Sequence, residues 1–136
     1  MRNVAFIYRA MEEENALPKL GATATRLGIR PGLDIVADAQ GNVHLPLFVP
    51  GEPNGLSCAS SLAELPRFAL PVAWGGRHKR TAVWRIRPFD LGTELLSEED
   101  TEPGRPRHVS IGPSHTMPLA DFVMVIEGTR SLWQRV

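Results

Sequence analysis

Cysteine is almost absent from this sequence, in which Cys58 is the only one among 136 residues. A single cysteine excludes an internal disulfide framework and any zinc site built on several cysteines. Long apolar runs are also missing: no stretch approaches the roughly 20 residues of a membrane span, and the N-terminus lacks the core of a signal peptide. We therefore expect a protein of a reducing cytosol, whose export would need another route.

Net charge is absent too. Fifteen Lys and Arg residues balance 15 Asp and Glu residues, and Lys19 and Lys79 are the only lysines. Without an overall field to attract nucleic acid or anionic lipid, any anion binding must be local. The hydrophobic content of 43% is enough for one core, which predicts a single domain over residues 1–136.

Three segments have the patterns of β-strands. The apolar run 4–8 does not alternate, as in a strand covered on both faces, and we expect it at the centre of a sheet. Residues 81–87 alternate, with Ala82, Trp84 and Ile86 on one face, which predicts a half-buried strand. A third short strand is expected at 108–111.

Two helices are predicted. Apolar residues recur at helical spacing from Leu17 to Leu27, and Gly28 suits the position after a helix end. The second helix closes the chain, with Thr116 as its N-cap, Pro118 in its first turn and an apolar stripe along one side. That stripe comprises Leu119, Phe122, Val123, Ile126 and Trp133.

Proline and glycine, with 12 residues each, indicate much irregular backbone. Residues 34–36 and 43–45 flank a turn at Gln40-Gly41-Asn42, which fits either a small hairpin or an ordered loop. Residues 97–107 are polar and turn-rich, and we expect an exposed loop there.

Arg9 ends the first apolar run, and two interpretations of it stay open. Its guanidinium is permanently charged and presents a planar fork of donors that suits a diphosphate. Alternatively, it pairs with Glu12, Glu13 or another carboxylate.

The segment 54–61, NGLSCASS, is rich in small residues and hydroxyls. Its backbone can approach a ligand closely, and Ser57, Ser60 and Ser61 can bind ribose or carboxamide groups. Ser60 is equally suited to cap the short segment that follows. Cys58, among small and apolar neighbours, is expected to be a buried small hydrophobe.

Several chemistries lack their motifs. The serines lie in no G-x-S-x-G elbow, and the four histidines have no metal-ligand spacing, so neither a serine hydrolase nor a metal site is expected. The basic run 77–80 lacks interleaved aromatic residues, and we do not expect it to bind nucleic acid.

Taken in order, five blocks carry a resemblance over nearly the whole chain: FIYRAM, LGIRPGLDIVADAQGNVHLP, GLSCASSLAELPR, TAVWRI and HVSIGPSHTMPLADFVMVIEGTRSLW. The combination of an early Y-R, a DIV-x-D-x-x-G turn, a G-[LM]-S segment and an H-x-x-I-x-P lead into the last helix resembles the Tse-two family of type VI secretion toxins. This implies an α+β, ADP-ribosyltransferase-like fold, with small mixed or antiparallel sheets around a cleft, a few short helices and long loops.

The resemblance also implies a site for NAD as substrate. Arg9 corresponds to the first-strand residue that holds NAD, and Ser57, with Ser60 or Ser61, to the strand that braces the nicotinamide pocket. His108 is the residue implied for the third motif, with Ser110 as a weaker choice. Tyr8 is a candidate to stack on a ring of the dinucleotide.

One feature departs from the wider superfamily, whose third motif supplies a glutamate that favours the cationic transition state. No glutamate occurs in HVSIGP; Glu127 falls in the last predicted helix, and Glu98, Glu99 and Glu102 fall in the predicted loop. Transfer of ADP-ribose to an unknown acceptor is the expected activity. An NAD glycohydrolase without an acceptor and an inactive binding domain of the same fold remain as alternatives.

The same resemblance implies a biological setting. It is that of a toxin made in a bacterial cytoplasm, neutralised there by a cognate immunity protein, exported without a signal peptide and active in the cytoplasm of a target cell. Membranes and metals are not expected among its partners.

Overall fold

The computed structural model describes residues 5–45, 54–99 and 108–136. These contain one α-helix, four short 3-10 turns and nine strands, most of them in one antiparallel sheet. In chain order the strands and helix are β1 (Ile7–Glu14), β2 (Leu17–Pro18), β3 (Asn42–Val43), β4 (Leu56–Ala59), β5 (Thr81–Ile86), β6 (Leu95–Glu99), β7 (His108–Pro113), β8 (Met117–Pro118), α1 (Leu119–Gly128) and β9 (Gln134–Arg135).

The main sheet has the strand order β6-β7-β4-β1-β5-β9, with β2 paired to β1, while β3 and β8 form a separate ribbon. The 3-10 turns lie at Leu62–Glu64, Val72–Trp74, Pro88–Leu91 and Arg130–Leu132. A mainly antiparallel sheet with one helix confirms the α+β class.

The three predicted strands are present. β1 is central in the sheet, as the apolar run 4–8 predicted, but it begins only at Ile7 and continues past that run to Glu14. Ile7 and Met11 are fully buried. Val4, the first residue of that run, lies outside the described residues. β5 and β7 occupy the other two predicted segments, with Trp84 and Ile86 in the core.

The helix predicted between Leu17 and Leu27 is wrong. Asn15 and Ala16 have positive φ angles of 55° and 64°, the pattern of a type I′ hairpin turn, and Leu17–Pro18 pairs back onto β1 as β2. Leu27 is buried in the core, but it lies in a folded loop. Its backbone amide donates to the carbonyl of Lys19. Helical spacing alone did not reveal this reversal of the chain.

Gly28 also has another role than ending a helix. It lies so close to Gly21 that an added Cβ would be 2.3 Å from the Gly21 carbonyl oxygen. A glycine is therefore needed there for backbone-to-backbone contact within the loop.

Two further predictions are corrected in part. Residues 97–99, expected in an exposed loop, belong to β6, while 100–107 lie outside the described residues. The closing helix exists, but Thr116 does not cap it: α1 begins at Leu119, and the Thr116 hydroxyl contacts His44 Nδ1 at 3.0 Å instead. The turn at 40–42 is an ordered loop, because β3 pairs with β8 and not with residues 34–36.

The core lies between one face of the sheet and α1. Phe122 and Ile126 of α1 are buried against side chains from β1, β4, β5 and β7. The opposite face carries a smaller cluster around Ala59, Leu65 and Val83. The face that packs against α1 therefore carries the main apolar core, and the opposite face carries only the smaller cluster.

Candidate functional site

The two neighbours of β1 are paired to it very unequally. β5 is in register with β1 over six residue pairs, from Ile7 with Ile86 to Glu12 with Thr81. β4 is in register at only one pair, Tyr8 with Ala59. Beyond that pair β1 and β4 separate, and the sheet opens between them.

Arg9 follows directly after this last pair, and its guanidinium bridges the opening. Nη1 donates to the Ser57 carbonyl at 2.6 Å, and Nη2 donates to the carbonyls of Arg26 at 2.9 Å and Thr23 at 3.4 Å. The residue is only 7% exposed, and burial lowers the pKa of the guanidinium. None of the carboxylates in the described residues forms a salt bridge with Arg9, since Glu12 pairs with Arg26 and Asp34 pairs with Arg30. The described residues therefore do not support the interpretation of Arg9 as a salt-bridge partner.

A cavity of about 440 Å³ lies beside Arg9. Adjacent residues of both strands line it, Arg9 with Ala10 and Ser57 with Cys58. The cavity therefore borders both strands next to the point where their pairing ends. The remaining lining residues are Ala24, Arg30, Glu64, Leu65, Pro66, Phe68, Ala69 and His108.

Ser57 and His108 form a polar pair in this cavity. β4 and β7 pair Ser57 with Ser110 and Ala59 with His108, which makes Ser57 and His108 diagonal neighbours on one face. The Ser57 hydroxyl and His108 Nε2 are 2.7 Å apart. The sheet register thus brings together two of the three residues that the resemblance implied for catalysis, and both lie beside Arg9.

A second arginine, Arg30, also lines the cavity. Asp34 accepts hydrogen bonds from Arg30 Nε at 3.2 Å and Nη2 at 2.8 Å, and from the Arg30 backbone amide at 2.7 Å. The hydrogen bond to Asp34 raises the pKa of the Arg30 guanidinium, which is therefore charged at all physiological pH values. The cavity has two cations on its wall.

Segment 64–69 contributes an acid and an aromatic ring. Glu64 ends the turn Leu62–Glu64 and is exposed, and it is the carboxylate of the cavity lining. Phe68 is 57% exposed, and Leu65 and Ala69 beside it are buried. This segment gives the cavity an apolar wall with one carboxylate.

Cys58 is buried as predicted, and burial raises the pKa of its thiol to about 12. A thiol of such a high pKa contributes almost no thiolate at neutral pH. Nucleophilic chemistry by Cys58 is therefore disfavoured.

Other sequence candidates lie away from the cavity lining. Tyr8 packs against the smaller cluster of Ala59, Leu65 and Val83, and its ring centroid is 6.2 Å from that of Phe6. Ser60 follows β4 directly, and Ser61 takes the N-cap position of the next turn without a side-chain capping bond. Ser110 is buried opposite Ser57.

Sequence reasoning missed three cavity residues, Arg30, Glu64 and Phe68. For Arg30 a signal was present, because the sequence R-P-G-L-D places an acid four residues after an arginine across a proline-glycine turn. Glu64 and Phe68 lie in an irregular segment, where no periodicity tells which side chains face inward.

Other site types find no support in the described residues. They contain no group of three or more His, Cys, Asp or Glu residues placed to hold a metal ion. Nor does any helix in these ranges have the length and apolarity needed to cross a bilayer. No family model, curated protein or solved structure matches the chain.

Proposed function

We propose that the protein is an NAD-dependent toxin domain of the ADP-ribosyltransferase type, which binds NAD in the cavity between β1 and β4. The observation that supports this best is the buried Arg9 guanidinium, which meets carbonyls but no carboxylate within the described residues. A buried cation without a counter-ion at hydrogen-bond distance favours an anionic ligand. The diphosphate of NAD is such an anion.

The size and lining of the cavity agree with this ligand class. Its volume of about 440 Å³ lies within the range of roughly 300 to 1,000 Å³ that is usual for small-molecule sites. Arg9 and Arg30 provide the positive charge for a diphosphate, and Phe68 offers an exposed face for a planar ring.

The reaction is the cleavage of the bond between nicotinamide and ribose. The bonding electron pair leaves with nicotinamide, an acceptor oxygen forms the new bond to ribose, and that oxygen gives up its proton. Positive charge develops on the ribose, and Glu64, a carboxylate of the cavity lining, would stabilise it in the way a third-motif glutamate does. Ser57, fixed by His108, would orient the nicotinamide end.

The wider setting follows from the sequence resemblance. It comprises an acceptor in the target cell, a cognate immunity protein and an export route without a signal peptide. The glycohydrolase alternative shares the same site and differs only in using water as the acceptor.

The decisive assay is nicotinamide release from NAD by the purified protein, with label on the adenylate part. We expect wild type to release nicotinamide and Ser57→Ala to be much slower, while Ser131→Ala, an exposed serine of the last 3-10 turn, behaves as wild type. Free ADP-ribose without labelled macromolecule would assign the glycohydrolase activity. Binding of NAD without release would assign a passive domain, and no binding would refute the proposal.

Expression in a bacterial cytosol gives a second test. Wild type should be poorly tolerated, and Ser57→Ala should be tolerated at equal protein level. Equal growth with both would contradict a toxin. Arg9→Ala is less suitable, because Arg9 also supports the fold through its hydrogen bonds to carbonyls.

A further inference from the structure

The two arginines of the cavity differ in how many of their N–H donors remain available to a ligand. Arg9 is 7% exposed, and its Nη1 and Nη2 already donate to backbone carbonyls. Its Nε is buried and has no partner among the described residues. Most of the donor capacity of Arg9 is therefore used to hold β1, β4 and the loop 23–26 in place.

Arg30 has the opposite character. Its side chain is 35% exposed, while that of its partner Asp34 is only 5% exposed. Asp34 occupies one edge of the guanidinium, Nε and Nη2. Nη1, with two N–H donors, has no partner in the described part of the chain, and neither does the second hydrogen of Nη2.

A local turn fixes this orientation. The amides of Leu33 and Asp34 donate to the Arg30 carbonyl at 3.1 and 2.8 Å, and Gly32 has the positive φ of 82° that the turn requires. The Asp34 carboxylate returns to the Arg30 backbone amide as well as to its side chain. A guanidinium held in this way loses little conformational freedom when it binds.

We propose that Arg30, oriented by Asp34, is the residue that binds the diphosphate, and that Arg9 is a positioning residue that holds β1, β4 and the loop 23–26 in place. The inference rests on the proposed function for the identity of the ligand. The free end of the Arg30 fork matches two phosphate oxygens, the geometry in which arginine binds phosphate most strongly. The buried guanidinium of Arg9 adds a second positive charge to the cavity.

The chain offers a matched control for testing this. Arg135 pairs with Glu13 at 2.7 Å, and neither residue lines the cavity or contacts Arg9. Replacing a whole pair by neutral amides avoids leaving a carboxylate alone. The test compares Arg30→Gln/Asp34→Asn with Arg135→Gln/Glu13→Gln, and adds Arg30→Lys, which keeps the charge but loses the fork.

The probes are inorganic pyrophosphate and ADP-ribose, measured by calorimetry on variants whose melting temperatures are also recorded. We expect Arg30→Gln/Asp34→Asn to weaken both ligands by about tenfold or more, and Arg30→Lys to weaken them less, while the control pair retains wild-type affinity. Equal weakening in both pairs, or wild-type affinity in a folded Arg30 variant, would overturn the inference.

The same experiment separates this inference from the proposed function. Wild type that binds pyrophosphate through Arg30 but releases no nicotinamide from NAD would leave the inference standing and refute the enzymatic proposal. Wild type that binds neither pyrophosphate nor ADP-ribose would refute the inference itself.

Discussion

The two edges of β1 differ in how far a neighbouring strand pairs with them. Toward β5 the backbone ladder is continuous. The Trp84 indole adds a hydrogen bond between the two strands, which it donates to the Met11 carbonyl at 3.0 Å. Toward β4 the ladder stops after one pair, and the Arg9 side chain donates to the Ser57 carbonyl of β4. A sheet can thus form a cavity by ending a ladder early, when a side chain bridges the gap between the two strands.

The largest effect is expected on the closed side. Trp84→Ala removes a fully buried ring and leaves the Met11 carbonyl without its donor, so we expect it to cost about 3 to 5 kcal/mol in the free energy of unfolding. Urea denaturation measures this. Trp74→Ala, at a 45% exposed position, is the control and should change stability little. A similar loss in both would mean that the β1–β5 side is not the main support of the sheet.

On the open side, Arg9→Met tests whether the guanidinium replaces the missing ladder. Its removal leaves carbonyls of Ser57 and Arg26 without donors, and we expect a loss of about 2 to 3 kcal/mol in the free energy of unfolding. Arg87→Met, in an exposed residue next to β5, is the matched control. If Arg9→Met unfolds at the wild-type denaturant concentration, Arg9 is not a structural bridge.

Glu64→Gln should separate catalysis from binding at the same opening. Because the carboxylate is exposed, its loss should leave stability unchanged, while nicotinamide release slows by roughly tenfold to 100-fold. The affinity for ADP-ribose should stay near that of wild type. Glu94→Gln, an exposed glutamate outside the cavity lining, is the control. Wild-type rates in Glu64→Gln would remove it from the proposed mechanism.

The smallest effect is expected where β1 ends. Ala16 adopts a φ of 64°, which is costly for a residue with a Cβ and free for glycine. Ala16→Gly should therefore raise the free energy of unfolding by about 0.5 to 1 kcal/mol. Ala22→Gly, an exposed residue of the next loop, controls for added chain flexibility. Destabilisation by Ala16→Gly would contradict the positive-φ turn.

Sequence reasoning succeeded where hydrophobic pattern and burial coincide. The continuous run before Arg9 marked the central strand, and the alternation of Ala82, Trp84 and Ile86 marked the face of β5. It failed between Leu17 and Leu27, where helical spacing coincides with a hairpin and a folded loop. There Pro18 is a buried strand residue, and the two residues that reverse the chain, Asn15 and Ala16, include no glycine to announce the turn.

The site was predictable only in part for a related reason. Arg9, Ser57 and His108 were implied by the order of the resembling sequence blocks, and the sheet register brings Ser57 to His108. Arg30, Glu64 and Phe68 come from irregular segments, where tertiary contacts alone decide orientation. The carboxylate that lines the cavity, Glu64, lies far from HVSIGP in the chain.

We expect ligands to bind where β1 and β4 separate. Titration of the labelled protein with ADP-ribose, followed by amide chemical shifts, tests it most directly. We predict that the shifts concentrate at Arg9, Arg30, Ser57, Glu64 and His108, with β9 and the β5–β9 pairing unaffected. Shifts centred on β5 and β9, or no shifts at millimolar ADP-ribose, would contradict the claim.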